Sequence, residues 1–194
     1  MRILKANKME QLRNWWKEFK EFKERKLESR QPPIREQIIA LFEKEKIPYR
    51  FISHSEAYTA PELAASIHIP GRKVAKVLLV WADGEYVMAV LASHHHLDLT
   101  QFAQVIRARQ LLLAKEWEVG KLFPDCEIGA MPPLGNLYGL RVYVDMSLAV
   151  EPLIYFPAGS HHEVVEMHHE DFDRLVHPRV GRFAHEPLKR AVGI

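Results

Sequence analysis

The sequence predicts an α+β fold built on a mixed, mostly antiparallel sheet. Two observations carry this. Short β-branched runs alternate irregularly with amphipathic helical stretches, without the regular βαβ rhythm of a parallel sheet. Tight turn signals also join neighbouring strands, above all Asp83-Gly84 between Val74–Trp81 and Glu85–Leu91, a hairpin signature. The content is 47% hydrophobic over 194 residues, which suits one domain plus an appendage.

The appendage comes first. From Lys8 to Ser29 there is no Gly or Pro, and Leu12, Trp15, Trp16, Phe19, Phe22 and Leu27 recur mostly at three- and four-residue steps. That is a helical stripe. Residues 1–30 hold ten Lys/Arg and five Asp/Glu, leaving 17 and 20 for the rest, so the overall +2 divides into +5 and −3. A helix packed on the domain, a basic arm for nucleic acid, a partner-docking helix and an interfacial helix all fit this pattern. Pro32-Pro33 ends it. The expected divisions are a basic helical extension over 1–33, a domain over 34–178 and a tail over 179–194.

Within the domain, Ile34 to Lys46 reads as a helix and Tyr49 to Ile52 as a strand. Thr59, Pro61 and Glu62 form a capping box for a helix that runs to about Ile67. Pro70-Gly71 then turns into the strand VAKVLLVW, Val74 to Trp81, in which seven of eight residues are apolar. The exception is Lys76. An ammonium is rarely buried without a partner. Lys76 therefore either snorkels from the strand end or pairs with a carboxylate, or it points into a pocket that takes an anionic ligand.

Further on, Leu97 to Ala108 reads as a helix, Leu111–Leu113 as a strand and Lys115 to Gly120 as a short helix. Phe123 to Gly139 contains three glycines and three prolines. It is too punctuated for helix or strand, and it suits a shaped loop whose backbone N–H groups line a site. Strands follow at Leu140–Asp145 and Leu153–Phe156. Ala158 to His162 reads as a turn into the strand Glu163–His168, and Glu170 to Leu175 as a helix.

The sequence excludes several classes. No apolar run approaches the roughly 18 residues that span a bilayer. The start, MRILKANKMEQ, lacks the pattern of a signal peptide, so a cytoplasmic setting without membrane association is expected. The single cysteine, Cys126, allows no internal disulfide or CxxC knuckle. His94-His95-His96 would not all face one ion on a strand or helix, and the histidine spacings give no closed ligand set. No metal or organic cofactor is expected.

Four motifs together resemble one family. They are TAPELA at Thr59–Ala64, GRKVAKVLLV at Gly71–Val80, LFPDCEIGAMPPLG at Leu122–Gly135 and AGSHH at Ala158–His162. The family is the YbaK/prolyl-tRNA synthetase-associated domain, which includes free-standing aminoacyl-tRNA deacylases and an editing domain inserted in bacterial prolyl-tRNA synthetases. The resemblance covers roughly Ile34 to Leu175. It implies a barrel-like sheet flanked by helices and hydrolysis of the ester joining a wrong, small amino acid to tRNA. Mischarged tRNA is then the partner, with an aminoacyl-tRNA synthetase as a second candidate. Lys76 matches the family's essential lysine, and Gly159 and His162 match its Gly-x-x-His element. Val77 follows the lysine. Gly129, Ala130, Met131, Pro132 and Gly135 belong to the loop expected to bind substrate. The alternative is a tRNA- or synthetase-binding module that has kept the fold without the chemistry.

Overall fold

A computed structural model of the chain describes residues 10, 13–17, 20 and 32–187. Of the expected N-terminal helix, Glu10, Arg13 to Lys17 and Lys20 are helical, and the remainder lies outside the described residues. Trp15 packs edge-on against Tyr86 at 4.7 Å, and the Lys121 ammonium sits 5.0 Å from the Trp16 ring. Both tryptophans pack against the main core.

The domain begins with α1 (Ile34–Glu45), whose Ile34, Ile38 and Phe42 are buried. Next come β1 (Tyr49–Ser53) and α2 (Ala60–Ser66). The expected capping box is present: Thr59 accepts from the Glu62 N–H, and Glu62 accepts from the Thr59 N–H. A 3-10 turn at Gly71–Lys73 leads into β2 (Ala75–Ala82), paired antiparallel with β3 (Glu85–Ala92). Ala82 opposes Glu85, so the turn is Asp83-Gly84 alone, and both residues take positive φ, 46° and 113°. This is the conformation that a two-residue hairpin turn favours.

Then follow β4 (His96–Leu97), α3 (Leu99–Ile106) capped by Asp98, β5 (Leu111–Leu113) and α4 (Glu116–Leu122). The chain continues through β6 (Arg141–Asp145), α5 (Met146–Ala149), β7 (Leu153–Ser160), β8 (Glu163–His168) and α6 (His169–Val176). β9 (Arg179–Gly181) and β10 (Ala184–His185) complete it. The strands form a five-stranded sheet, β5-β2-β3-β6-β9, a three-stranded sheet, β1-β8-β7, and the pair β10-β4. Among the described strand pairs, only β3–β6 and β6–β9 are parallel. The fold is α+β with a mostly antiparallel sheet, as expected, but the sheets do not close into a barrel. A bridge between Val74 and Tyr155 joins the two larger sheets at the start of β2.

Two segments differ from the expectation. β7 runs on to Ser160 rather than ending at Phe156. Pro157 opposes Val164 and Ser160 opposes Glu163, so three steps on β7 match one on β8, and Gly159 takes φ +95° inside this bulge. The stretch after Pro178, expected as a tail, supplies β9 and β10. Its anchor is Asp145, buried at 3% exposure. Asp145 Oδ2 accepts from the Phe183 and Ala184 N–H groups at 2.6 and 2.9 Å, and Oδ1 accepts from the Ser147 N–H at 2.8 Å. Phe183 is then fully buried, its ring 4.7 Å from that of Phe102.

Asp145→Asn replaces one accepting oxygen with a donor facing a buried N–H. It should lower unfolding free energy by about 2–4 kcal/mol in a denaturant titration. A loss under about 0.5 kcal/mol, the range of an ordinary surface change, would show that this anchor is dispensable.

Candidate active site

A cleft of about 620 Å³ opens where the start of β2 meets the end of β7. Ala75 to Leu78 form one wall. Segment 54–63, Gly129, Met131 and the turn at the end of β7 form the others, and Ser93, His94, His96 and Pro187 lie at the rim.

Lys76 lies in this cleft, half-buried. Its Nζ donates to the His95 carbonyl. Among the described residues it makes no ion pair, so pairing with a carboxylate is not what the fold adopts. Burial pushes the Lys76 ammonium below its ordinary value of 10.5. One of its three N–H groups is occupied, and the other two remain for a ligand.

The opposite wall is built by the bulge. The expected turn brings His161, not His162, into the cleft. The His161 side chain is 12% exposed, whereas that of His162 is 57% exposed and 3.8 Å from Glu56. His161 Nδ1 lies 3.1 Å from the Ala57 carbonyl. A carbonyl only accepts, so Nδ1 carries the proton and a neutral ring keeps its lone pair on Nε2. Glu127 lies 3.9 Å from that Nε2 and also accepts from the His161 N–H. The carbonyls of His161 and His162 accept from the Ala57 and His54 N–H groups, which clamps segment 54–57 over the cleft.

The Gly/Pro loop is packed rather than open. Ala130, Met131 and Leu134 are buried, and Gly135 leaves no room for a side chain, since a Cβ there would lie 2.4 Å from the Leu140 carbonyl oxygen. Of the loop residues expected to bind substrate, Gly129 and Met131 line the cleft, as does Val77, while Ala130, Pro132 and Gly135 support the loop from behind. Gly159 also lies outside the lining. Its N–H donates to the Ala130 carbonyl and its carbonyl accepts from Glu127 N–H, so it ties the loop to β7 and is not a free donor. Substitution there would drive a Cβ to 2.3 Å from Ile34 Cγ2. The Gly129 N–H, by contrast, has no acceptor among the described residues. Cys126 is also absent from the lining, with its Sγ 3.3 Å from Tyr138 Oη. Asp145 is taken up by backbone N–H groups, so it forms no triad with Ser160.

The sequence pattern did not single out Tyr58, His161 or Ser160. Tyr58 presents an exposed ring at the cleft mouth, 5.0 Å from the His161 ring. The one available signal was the doubled histidine, whose two faces only the bulge could assign.

A half-desolvated ammonium, a backbone N–H without an acceptor among the described residues and a partly buried imidazole meet on one cleft, a combination that suits an anionic ligand. Residues 54–175 match the aminoacyl-tRNA editing domain family. The chain belongs to that family. The multifunctional Ser/Thr-tRNA deacylase ProXp-y of Escherichia coli strain K12 is 27% identical over 160 residues, covering 76% of this chain and 91% of the relative. Proline–tRNA ligase of Syntrophomonas wolfei is 27% identical over 121 residues, covering 62% of this chain and 20% of the ligase. The chain thus spans about one fifth of the ligases it matches. A solved structure of a candidate trans-editing enzyme for prolyl-tRNA synthetase shares the fold, with TM-score 0.70 and 18% identity over 80% of this chain and 99% of that one. No described helix is long and apolar enough to cross a membrane.

The Lys76 amine should titrate below ordinary lysines. Acylation of Lys76, followed by mass spectrometry across pH, should show its reactivity rising at lower pH than that of a free lysine side chain in a short peptide. A Lys76 profile superimposable on that of the peptide lysine would show that the ammonium is fully hydrated.

Proposed function

We propose that this chain hydrolyses the ester of tRNA mischarged with a small amino acid, alanine first. The observation that carries this reading is Lys76, an unpaired, half-buried ammonium in the cleft of an editing-family domain. Lys76 acts as a fixed point charge for the phosphate of the terminal nucleotide. Its one contact, to a backbone carbonyl, sets its position without neutralising it. Water adds to the ester carbonyl, the C–O bond to the ribose breaks, and free amino acid and a ribose hydroxyl result. The Gly129 N–H faces the developing oxyanion. His161 Nε2 takes the water's proton and returns it to the leaving oxygen, with Glu127 favouring the transient imidazolium. The exposed Tyr58 ring stacks on the terminal base. His162, which matches the family's Gly-x-x-His element, is left outside this scheme by its exposure.

The amino-acid end meets Val77, Met131 and Ala57, which are apolar and buried. Bulk is refused by clash, a stronger filter than a missing methylene at about 1–3 kcal/mol. One observation favours a second reading. Ser93 and Ser160 also line the cleft and offer oxygen partners to a substrate hydroxyl, so serine or threonine follows alanine. The relative named for serine and threonine points the same way.

The experiment is a deacylation assay on tRNAs charged with alanine, serine, threonine, cysteine, proline and a bulky residue. Alanyl-tRNA should be cleaved fastest, and Lys76→Ala should lower kcat/KM by about 100-fold or more with an unchanged melting temperature. Preference for the bulky substrate would overturn the pocket argument. Full activity of Lys76→Ala would overturn the site, and inactivity on the whole panel would favour a binding module.

A further inference from the structure

We propose that His94, His95 and Glu186 form a site for a divalent cation of intermediate softness, such as zinc, which latches the C-terminal segment across the mouth of the cleft. On a regular strand or helix, consecutive histidines could not face one ion. His94 and His95 instead occupy the turn between β3 and β4, closed by the His95 N–H donating to the Ala92 carbonyl. A turn frees consecutive side chains from alternation, and the two rings lie 4.2 Å apart edge to face. Glu186 arrives from the far end of the chain, just after β10 pairs with β4. One ligand atom from each of the three residues lies within 4.8 Å of the other two.

The second observation is independent of this spacing. His94 Nδ1 and His95 Nδ1 are buried and have no hydrogen-bond partner among the described residues. A buried imidazole nitrogen without a partner forfeits its desolvation cost, and a metal ion would meet it. Two imidazoles and one carboxylate are a donor set that suits zinc, with a fourth position open. In a tetrahedral set, ligand atoms about 2.0–2.2 Å from a common ion lie about 3.4 Å apart, so the three groups close on the ion by side-chain rotation, with the exposed Glu186 the freest to move.

The consequence is mechanical. Pro187, the next residue, lines the cleft, as does His94. An ion held by His94, His95 and Glu186 joins the rim to the segment that carries Pro187. The segment is otherwise held by the Asp145 contacts, the Asp98 N–H donating to the Phe183 carbonyl, the buried Phe183 ring and two residues of β10–β4 pairing. Occupancy therefore narrows and steadies the mouth.

The test uses the full chain without an affinity tag and zinc alone as probe, followed by calorimetry and hydrogen exchange. One zinc ion should bind per chain and slow exchange at the His185 and Glu186 amides. His95→Ala and Glu186→Gln, the latter an exposed and conservative change, should each weaken binding about tenfold or more. A double His96→Ala, His185→Ala variant, which removes the neighbouring exposed pair, should bind zinc as the parent does. Absence of saturable binding would overturn the proposal. So would binding that Glu186→Gln leaves unchanged, or binding lost only in the His96/His185 variant. None of these readouts involves tRNA, so they stand apart from the proposed deacylation.

Discussion

Placing an ammonium inside a strand that joins two sheets is costly, because its hydration must be surrendered before anything replaces it. β2 accommodates Lys76 only because the strand opens onto a cleft and the His95 carbonyl turns back to meet the Nζ. A carboxylate in that place would have made a closed ion pair and an inert core. A single neutral acceptor leaves a charge that is positioned but unspent. The His95 turn, the bridge between Val74 and Tyr155, and the clamp of segment 54–57 all serve to hold walls around that charge.

The loop from Phe123 to Gly139 is the second constraint. Its glycines are separated by function. Gly135 is a packing glycine, pressed on Leu140 and Val142, whereas Gly129, at φ +92°, brings bare backbone to the cleft. Gly159 is shared between both tasks, since its positive φ shapes the bulge and its backbone groups zip the loop to β7. The loop's rigidity therefore depends on β7, and the cleft depends on the loop.

Much of this was legible because it is local. Lys76 stood out as one charge in an apolar run. The Thr59–Glu62 capping box and the Asp83-Gly84 turn are written in residues next to one another. What was not legible depends on distant parts of the chain. The choice between His161 and His162 turns on a bulge that shifts the two-residue alternation, and no residue in AGSHH announces how far. The C-terminal strands looked like a tail because β9 is three residues long and β10 two. Their place is fixed by Phe183 and by Asp145, 38 residues earlier. The His94–His95 pair acquires its third ligand only through that same return of the chain.

The most direct measurement is a structure of the chain with a hydrolysis-resistant analogue of the charged terminus, a 3′-alanylamido adenosine 5′-phosphate. Its phosphate should lie within hydrogen-bond distance of Lys76 Nζ, its adenine against Tyr58, and its alanyl methyl against Val77 and Met131. An analogue bound outside the cleft, or seated in it with its phosphate turned away from Lys76, would contradict the assignment of this cleft as the editing site.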